Sequence, residues 1–254
     1  MKSASAEVRI VALAGVAELP GVALPPAAHD LRFDPDRRVR QVALFALAQS
    51  GSAEAAATIA AGLRDHEMSV QIASIRALGQ LGGEASRVPL EEQLGAQRPE
   101  LIRIAAAEAL VAMQAESSVQ LAATDKSWRV RVAIARGLGR FRGPQASALA
   151  ARLLTDQSPM LQNAAVESIA DWPFEEAAPL WLLAVKRPGY AVRKVALSHL
   201  GELWPEAEGF PIDAPIDQQS EALAAVERRA AAEQVVAADP DADEPASASS
   251  EVAT

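Results

Sequence analysis

Apolar and small residues recur along this chain at three- and four-residue spacing, and the stretches that carry them recur in turn. In DRRVRQVALFALAQSG, the residues Val39, Val42, Ala43, Ala46 and Leu47 fall on one face of a helix turning about 100° per residue. The same template returns in EMSVQIASIRALGQLG, PELIRIAAAEALVAM, SWRVRVAIARGLGRFRG, SPMLQNAAVESIADWP and GYAVRKVALSHLGELWP. Its first apolar positions are Val8, Val39, Val70, Ile102, Val130, Leu161 and Val192, separated by 31, 31, 32, 28, 31 and 31 residues. Such a period is that of a stacked repeat, in which no unit buries its apolar face alone and neighbours build one continuous core. Breakers such as Gly51, Gly82, Gly143 and Pro173 stop the helix near its end.

A second helical stretch precedes most copies: AEAAATIAAGLRD, EASRVPLEEQLGAQ, a short ESSVQLAATD, PQASALAARLLTD and EEAAPLWLLAVKR, with a weaker counterpart around Pro25 to Phe33. Each copy therefore reads as two helices. The pattern predicts an all-α fold, a right-handed α-solenoid of about six to seven helical hairpins over residues 1–205, whose second helices line a concave surface. The 28-residue step predicts a shortened first helix at Glu116 to Thr124 and a change of local curvature. The chain opens on a second-helix pattern, so the stripe Val8, Val11, Ala12, Val16 and Leu19 lacks its covering helix. Leaving it in water forfeits about 1.5–3 kcal/mol per large side chain, which predicts either a homodimer through this helix or an upstream segment that covers it. Residues 206–238 read as an extended segment anchored by Phe210 and Ile212, then a helix capped by Ser220; residues 239–254 read as a disordered acidic tail.

Two polar positions keep the same register. Five residues before the anchor stand Asp34, Asp65, Gln97, Asp125, Asp156 and Arg187; one residue after it stand Arg9, Arg40, Gln71, Arg103, Arg131, Gln162 and Arg193. Aspartate there can cap the second helix or bond the backbone of the turn. Stacking aligns both sets into structural ladders, interrupted where Gln or Arg departs from the pattern. The resulting D-x-x-x-x-V-R-x-x-A-x-x-A-L-G pattern resembles the HEAT-like repeats of the phycobilisome-lyase family, from roughly Ser3 to Pro205. That resemblance implies a helical scaffold rather than a particular chemistry. Deoxyhypusine hydroxylases resemble this repeat too, but hold two irons with His-Glu pairs inside several second helices. The one His-Glu pair here, His66-Glu67, lies before its anchor, and His29 and His199 are followed by Asp30 and Leu200. No metal, cofactor or catalytic residue is expected.

Composition and charge adjust this picture only in places. Without cysteine there are no disulfides, thiolate metal sites or thiol nucleophiles. The net charge of −9 resides mostly from Asp213 to Thr254, where ten acidic residues face two basic ones. The body is nearly neutral, so an anionic partner is compatible with it. No secretion signal and no membrane-length apolar run is present, which predicts a cytoplasmic protein without membrane partners. In KSWRVRVAIARGLGRFRG, a continuous helical wheel places Arg129, Arg136 and Arg140 within about 40° of one another, with Lys126 and Trp128 nearby. This strip is a candidate partner-binding site for acidic peptides or nucleic-acid phosphates, a solvated face, or a seat for the chain's own acidic tail. Trp172, Trp181 and Trp204 read as core fillers, with an exposed interaction patch as the alternative. The expected function is a non-catalytic scaffold binding a protein partner on the concave surface; the alternatives are a lyase-like accessory protein and phosphate-backbone binding through the basic helix.

Overall fold

From Val39 to Leu161 the anchor residues become the buried spine of a row of helices. The computed structural model describes residues 5–19 and 24–238, and every regular element among them is helical. The chain divides into two compact units at Asp171/Trp172. In the first lie α1 (Ala6–Ala17), α2 (Pro26–His29), α3 (Arg37–Gln49), α4 (Ala53–Ala61), α5 (Met68–Leu81), α6 (Glu84–Glu92), α7 (Glu100–Ala112), α8 (Glu116–Ala122), α9 (Trp128–Arg136), α10 (Pro144–Leu154) and α11 (Pro159–Ser168). The odd-numbered ones are the second helices of the repeat, and each packs on the next: α1 on α3, α3 on α5, α5 on α7, α7 on α9 and α9 on α11.

Val39, Val70, Ile102, Val130 and Leu161 are at most 1% exposed. Burying each contributes about 1.5–3 kcal/mol, which holds the row together. Ser5, Asp36, Ser127 and Ser158 start four of these helices by accepting a hydrogen bond from a backbone N–H of the first turn. Among the first helices, α8 has only 7 residues, as the 28-residue step predicts. The weak counterpart near Pro25 is α2 continued by a 3-10 turn over Asp30–Phe33.

Two glycines follow the end of α9. A Cβ on Gly137 would stand 2.1 Å from Val111 Cγ1, and one on Gly139 would stand 2.6 Å from the Ser168 carbonyl oxygen. Only a bare backbone fits so close to its neighbours. The α-helix stops at Arg136, with Gly137 as its C-cap, and passes into a 3-10 turn over Leu138–Arg140.

The second unit contains α12 (Phe174–Val185), α13 (Tyr190–Gly201), α14 (Pro205–Glu208) and α15 (Ile216–Ala238). Trp172, Trp181 and Trp204 are buried. Phe174 meets Trp204 edge-on at 5.2 Å, and Trp181 stacks on His199 at 4.9 Å, so large rings fill gaps that alanines leave elsewhere. After Pro205 the chain forms the short α14 where an extended run is expected, and Phe210 is buried beyond it. Helix α15 begins four residues before Ser220, which is thus inside the helix and not its cap. The acidic tail, residues 239–254, lies outside the described residues.

Candidate interaction surface

The two predicted ladders are one. The guanidinium at the Arg position of one copy grips the carboxylate at the Asp position of the next: Arg9 with Asp34 at 2.7 Å, and Arg40 with Asp65, Arg103 with Asp125 and Arg131 with Asp156, each at 2.8 Å. All four pairs are two-pronged and largely buried. Each Asp also accepts the backbone N–H two residues on, from Asp36, Glu67, Ser127 or Ser158, and so fixes the turn before the helix. Arg40, Arg103 and Arg131 donate a further bond to a carbonyl of their own turn. Gln71 and Gln162 keep that last bond, to the Asp65 and Asp156 carbonyls. Gln71 is followed by Gln97 at the Asp position, so donor and acceptor depart together there, as they do at Gln162 and Arg187. Arg193 bonds Gln219 in place of an aspartate.

Burial pushes the Asp65, Asp125 and Asp156 carboxyls up, but the bonds from their guanidinium and backbone N–H partners outweigh it. All three lie below the ordinary aspartate value. The Arg103 guanidinium is held above its ordinary value by Asp125. These residues are joints, with their charges consumed inside the chain.

The basic strip is less uniform than its wheel. Because α9 ends at Arg136, Arg140 sits in the 3-10 turn, and the continuous wheel that aligned it with Arg129 does not apply. Arg129 lies 3.5 Å from Glu100 and 4.8 Å over the Trp128 ring. Arg142 donates to the Gly139, Phe141 and Asp171 carbonyls. Lys126, Arg136 and Arg140 are exposed.

A feature that residue patterning left unread lies along the same edge. Met68, Leu101, Trp128 and Met160 are each between 36% and 57% exposed, and each is the first or second residue of a successive second helix, α5, α7, α9 and α11. Glu100 joins the first turn of α7 to that of α9 through Ser127 and Arg129; Arg37 and Glu67, 3.7 Å apart, join α3 to the turn before α5. One turn further along, Ile72 and Ile104 are half-buried beside them. Large apolar side chains exposed in the first turns of four packed helices form a surface of the composition that partners bury. The signal was present in the sequence: one or two residues before four anchors stands a large apolar residue, off the face that the periodicity assigns to the core.

The histidines do not converge. His66 is exposed in the turn before α5, 3.5 Å from Asp65, and His199 lies against Trp181 and 3.5 Å from Glu202. Among the described residues no three His, Asp or Glu side chains form a group suited to a metal ion, and no helix is long and apolar enough to cross a membrane.

This architecture is an all-α solenoid of helical hairpins. The chain matches the HEAT repeats family over residues 24–111 and 115–201, and it belongs to that family. An X-ray structure of YibA from Escherichia coli shares the fold, with a TM-score of 0.53 and 16% identity over 95% of this chain and 94% of that one. The CpcE–CpcF complex of phycocyanin lyase from a Nostoc species gives 0.46 at 19% identity, over 89% and 90% of the chains. Human deoxyhypusine hydroxylase in complex with glycerol gives 0.40 at 16%, over 91% and 92%. No curated protein sequence matches the chain.

Proposed function

We propose that this protein is a non-catalytic protein–protein interaction scaffold, and that the second helices of residues 1–171 present its partner-binding surface. The observation that carries this reading is the recurrence of Met68, Leu101, Trp128 and Met160, exposed in the first turns of four successive helices. Isolated exposed apolar residues are ordinary; a series in four neighbouring first turns, with a tryptophan among them, has the make-up of an interface core. The phosphate-backbone reading has less support, because Arg129 and Arg131 are drawn into contacts with Glu100 and Asp156. Photo-crosslinking amino acids placed in turn at Leu101, Trp128 and Leu121 test the proposal in cells of the source organism. A discrete adduct from the first two positions and none from Leu121, exposed on α8, is expected; equal yields at all three positions sink it.

A second reading rests on α1. Val8 is 56% exposed where the equivalent anchors are at most 1%, and Val11 and Leu19 are exposed beside it. Two copies packing these faces about a two-fold axis would bury them both. Val8→Asp with Val16→Asp then lowers the sedimenting mass at micromolar concentration; a wild-type chain that already sediments as a monomer ends this reading.

A further inference from the structure

Beyond the apolar row, the same helices carry a line of charge. Six residues after the anchors of α5, α7, α9 and α11 stand Arg76, Glu108, Arg136 and Glu167, all exposed and alternating in sign. Among the described residues none of these four side chains has an ion-pair partner in the chain. Charges placed inside a scaffold for its own stability are paired here, as the ladder is; these four are left in solvent, in strict alternation. They run parallel to the apolar row, two helical turns away from it along each helix, with Ile72 and Ile104 between.

The spacing of this double row selects its occupant. Packed helix axes lie about 8–10 Å apart. An α-helix laid across them advances about 10.5 Å in seven residues, so one heptad of a partner helix meets one helix of the scaffold. An extended segment fits poorly, because the faces of α5, α7 and α9 offer no free backbone groups, and its own N–H and C=O groups would be desolvated without partners. A helix brings its backbone bonds with it, and needs from the surface only an apolar seat and flanking charges. We infer that the face of α5, α7, α9 and α11 docks an amphipathic α-helix of a partner protein, with its apolar stripe on Met68, Leu101, Trp128 and Met160 and with acid, base, acid and base at heptad spacing opposite Arg76, Glu108, Arg136 and Glu167.

This inference rests on the interaction-scaffold reading but fails separately from it. The probe is a synthetic helical peptide of about 28 residues, four heptads, with a leucine stripe flanked on both sides by the order Glu, Lys, Glu, Lys; its control, of the same composition, carries Glu, Glu, Lys, Lys and meets only two of the four charges in either docking direction. Anisotropy titrations use the full-length protein, and the matched order is expected to bind at least tenfold more tightly than the control. Arg76→Glu with Glu167→Arg, which leaves acid, acid, base and base along the row, is expected to reverse that preference, with its helical circular dichroism unchanged. Tight binding with no dependence on charge order, or no reversal in the folded variant, overturns the inference while adducts at Leu101 leave the scaffold reading standing. Should the double variant fail to fold, Arg136→Glu alone, which must narrow the preference at least threefold, decides the matter.

Discussion

The buried ladder and the exposed row stand two or three residues apart in the same repeat, and they teach opposite lessons about periodicity. At the ladder, a charged residue recurs because each copy must grip the next: Arg103 and Asp125 are two-pronged, mostly buried, and supplied with backbone partners. At the row, large apolar residues recur with much of their surface in solvent: Leu101 directly precedes the Ile102 anchor, yet it is 57% exposed where Ile102 is 1% exposed. A repeated polar position here is architecture, while a repeated apolar position is core at the anchor and surface one or two residues before it. Recurrence alone therefore does not tell inside from outside.

The sharpest way to break this contrast is to cut one rung. Asp125→Ala leaves the Arg103 guanidinium buried without its counter-ion, and is expected to lower unfolding stability by about 3–5 kcal/mol in urea titration. Leu101→Ser, two residues from the same arginine, should change it by no more than about 0.5 kcal/mol. Similar losses from the two substitutions would erase the distinction.

Acid tests the ladder as a set. Because Asp65, Asp125 and Asp156 have folded-state pKa values below the ordinary 3.8, their contribution is present above that value. It is lost as pH falls through their folded-state values. Urea midpoints should thus decline below about pH 4, and Asp65→Asn with Asp156→Asn should flatten the decline. A profile identical in the variant would show that other carboxylates govern acid unfolding.

The smallest effect comes from building a rung where Gln71 and Gln97 stand. Gln71→Arg and Gln97→Asp should each destabilise when made alone, since each brings an unpaired charge to a partly buried joint. Together they should recover about 0.5–3 kcal/mol of coupling. Additive effects in the double-mutant cycle would show that the α5–α7 joint cannot hold a rung.

Much of the fold was legible in the sequence. The anchor spacing alone locates α3, α5, α7, α9, α11 and α13, and the short step into Val130 foretells the short α8. What spacing could not convey is pairing across copies, since Arg40 and Asp65 are 25 residues apart and meet only once the helices stack. The joint loss of Arg and Asp at 71 and 97 was the available clue. Arg140 was misplaced for a different reason: a wheel assumes a continuous helix, and α9 ends at Arg136 with Gly137 as its C-cap. The exposed row was overlooked because a leucine beside a core isoleucine reads as more core until the register is compared over several copies.

On the proposed reading the row, and not merely any exposed apolar residue, holds the partner. The most direct measurement compares two double variants in the source organism: Leu101→Asp with Met160→Asp on the second helices, and Val88→Asp with Leu121→Asp on the first helices. Partner co-purification is quantified beside the unfolding midpoint of each protein. Recovery reduced at least tenfold for the first pair and unchanged for the second, with both midpoints near wild type, is the predicted result; equal recovery for the two pairs would contradict it.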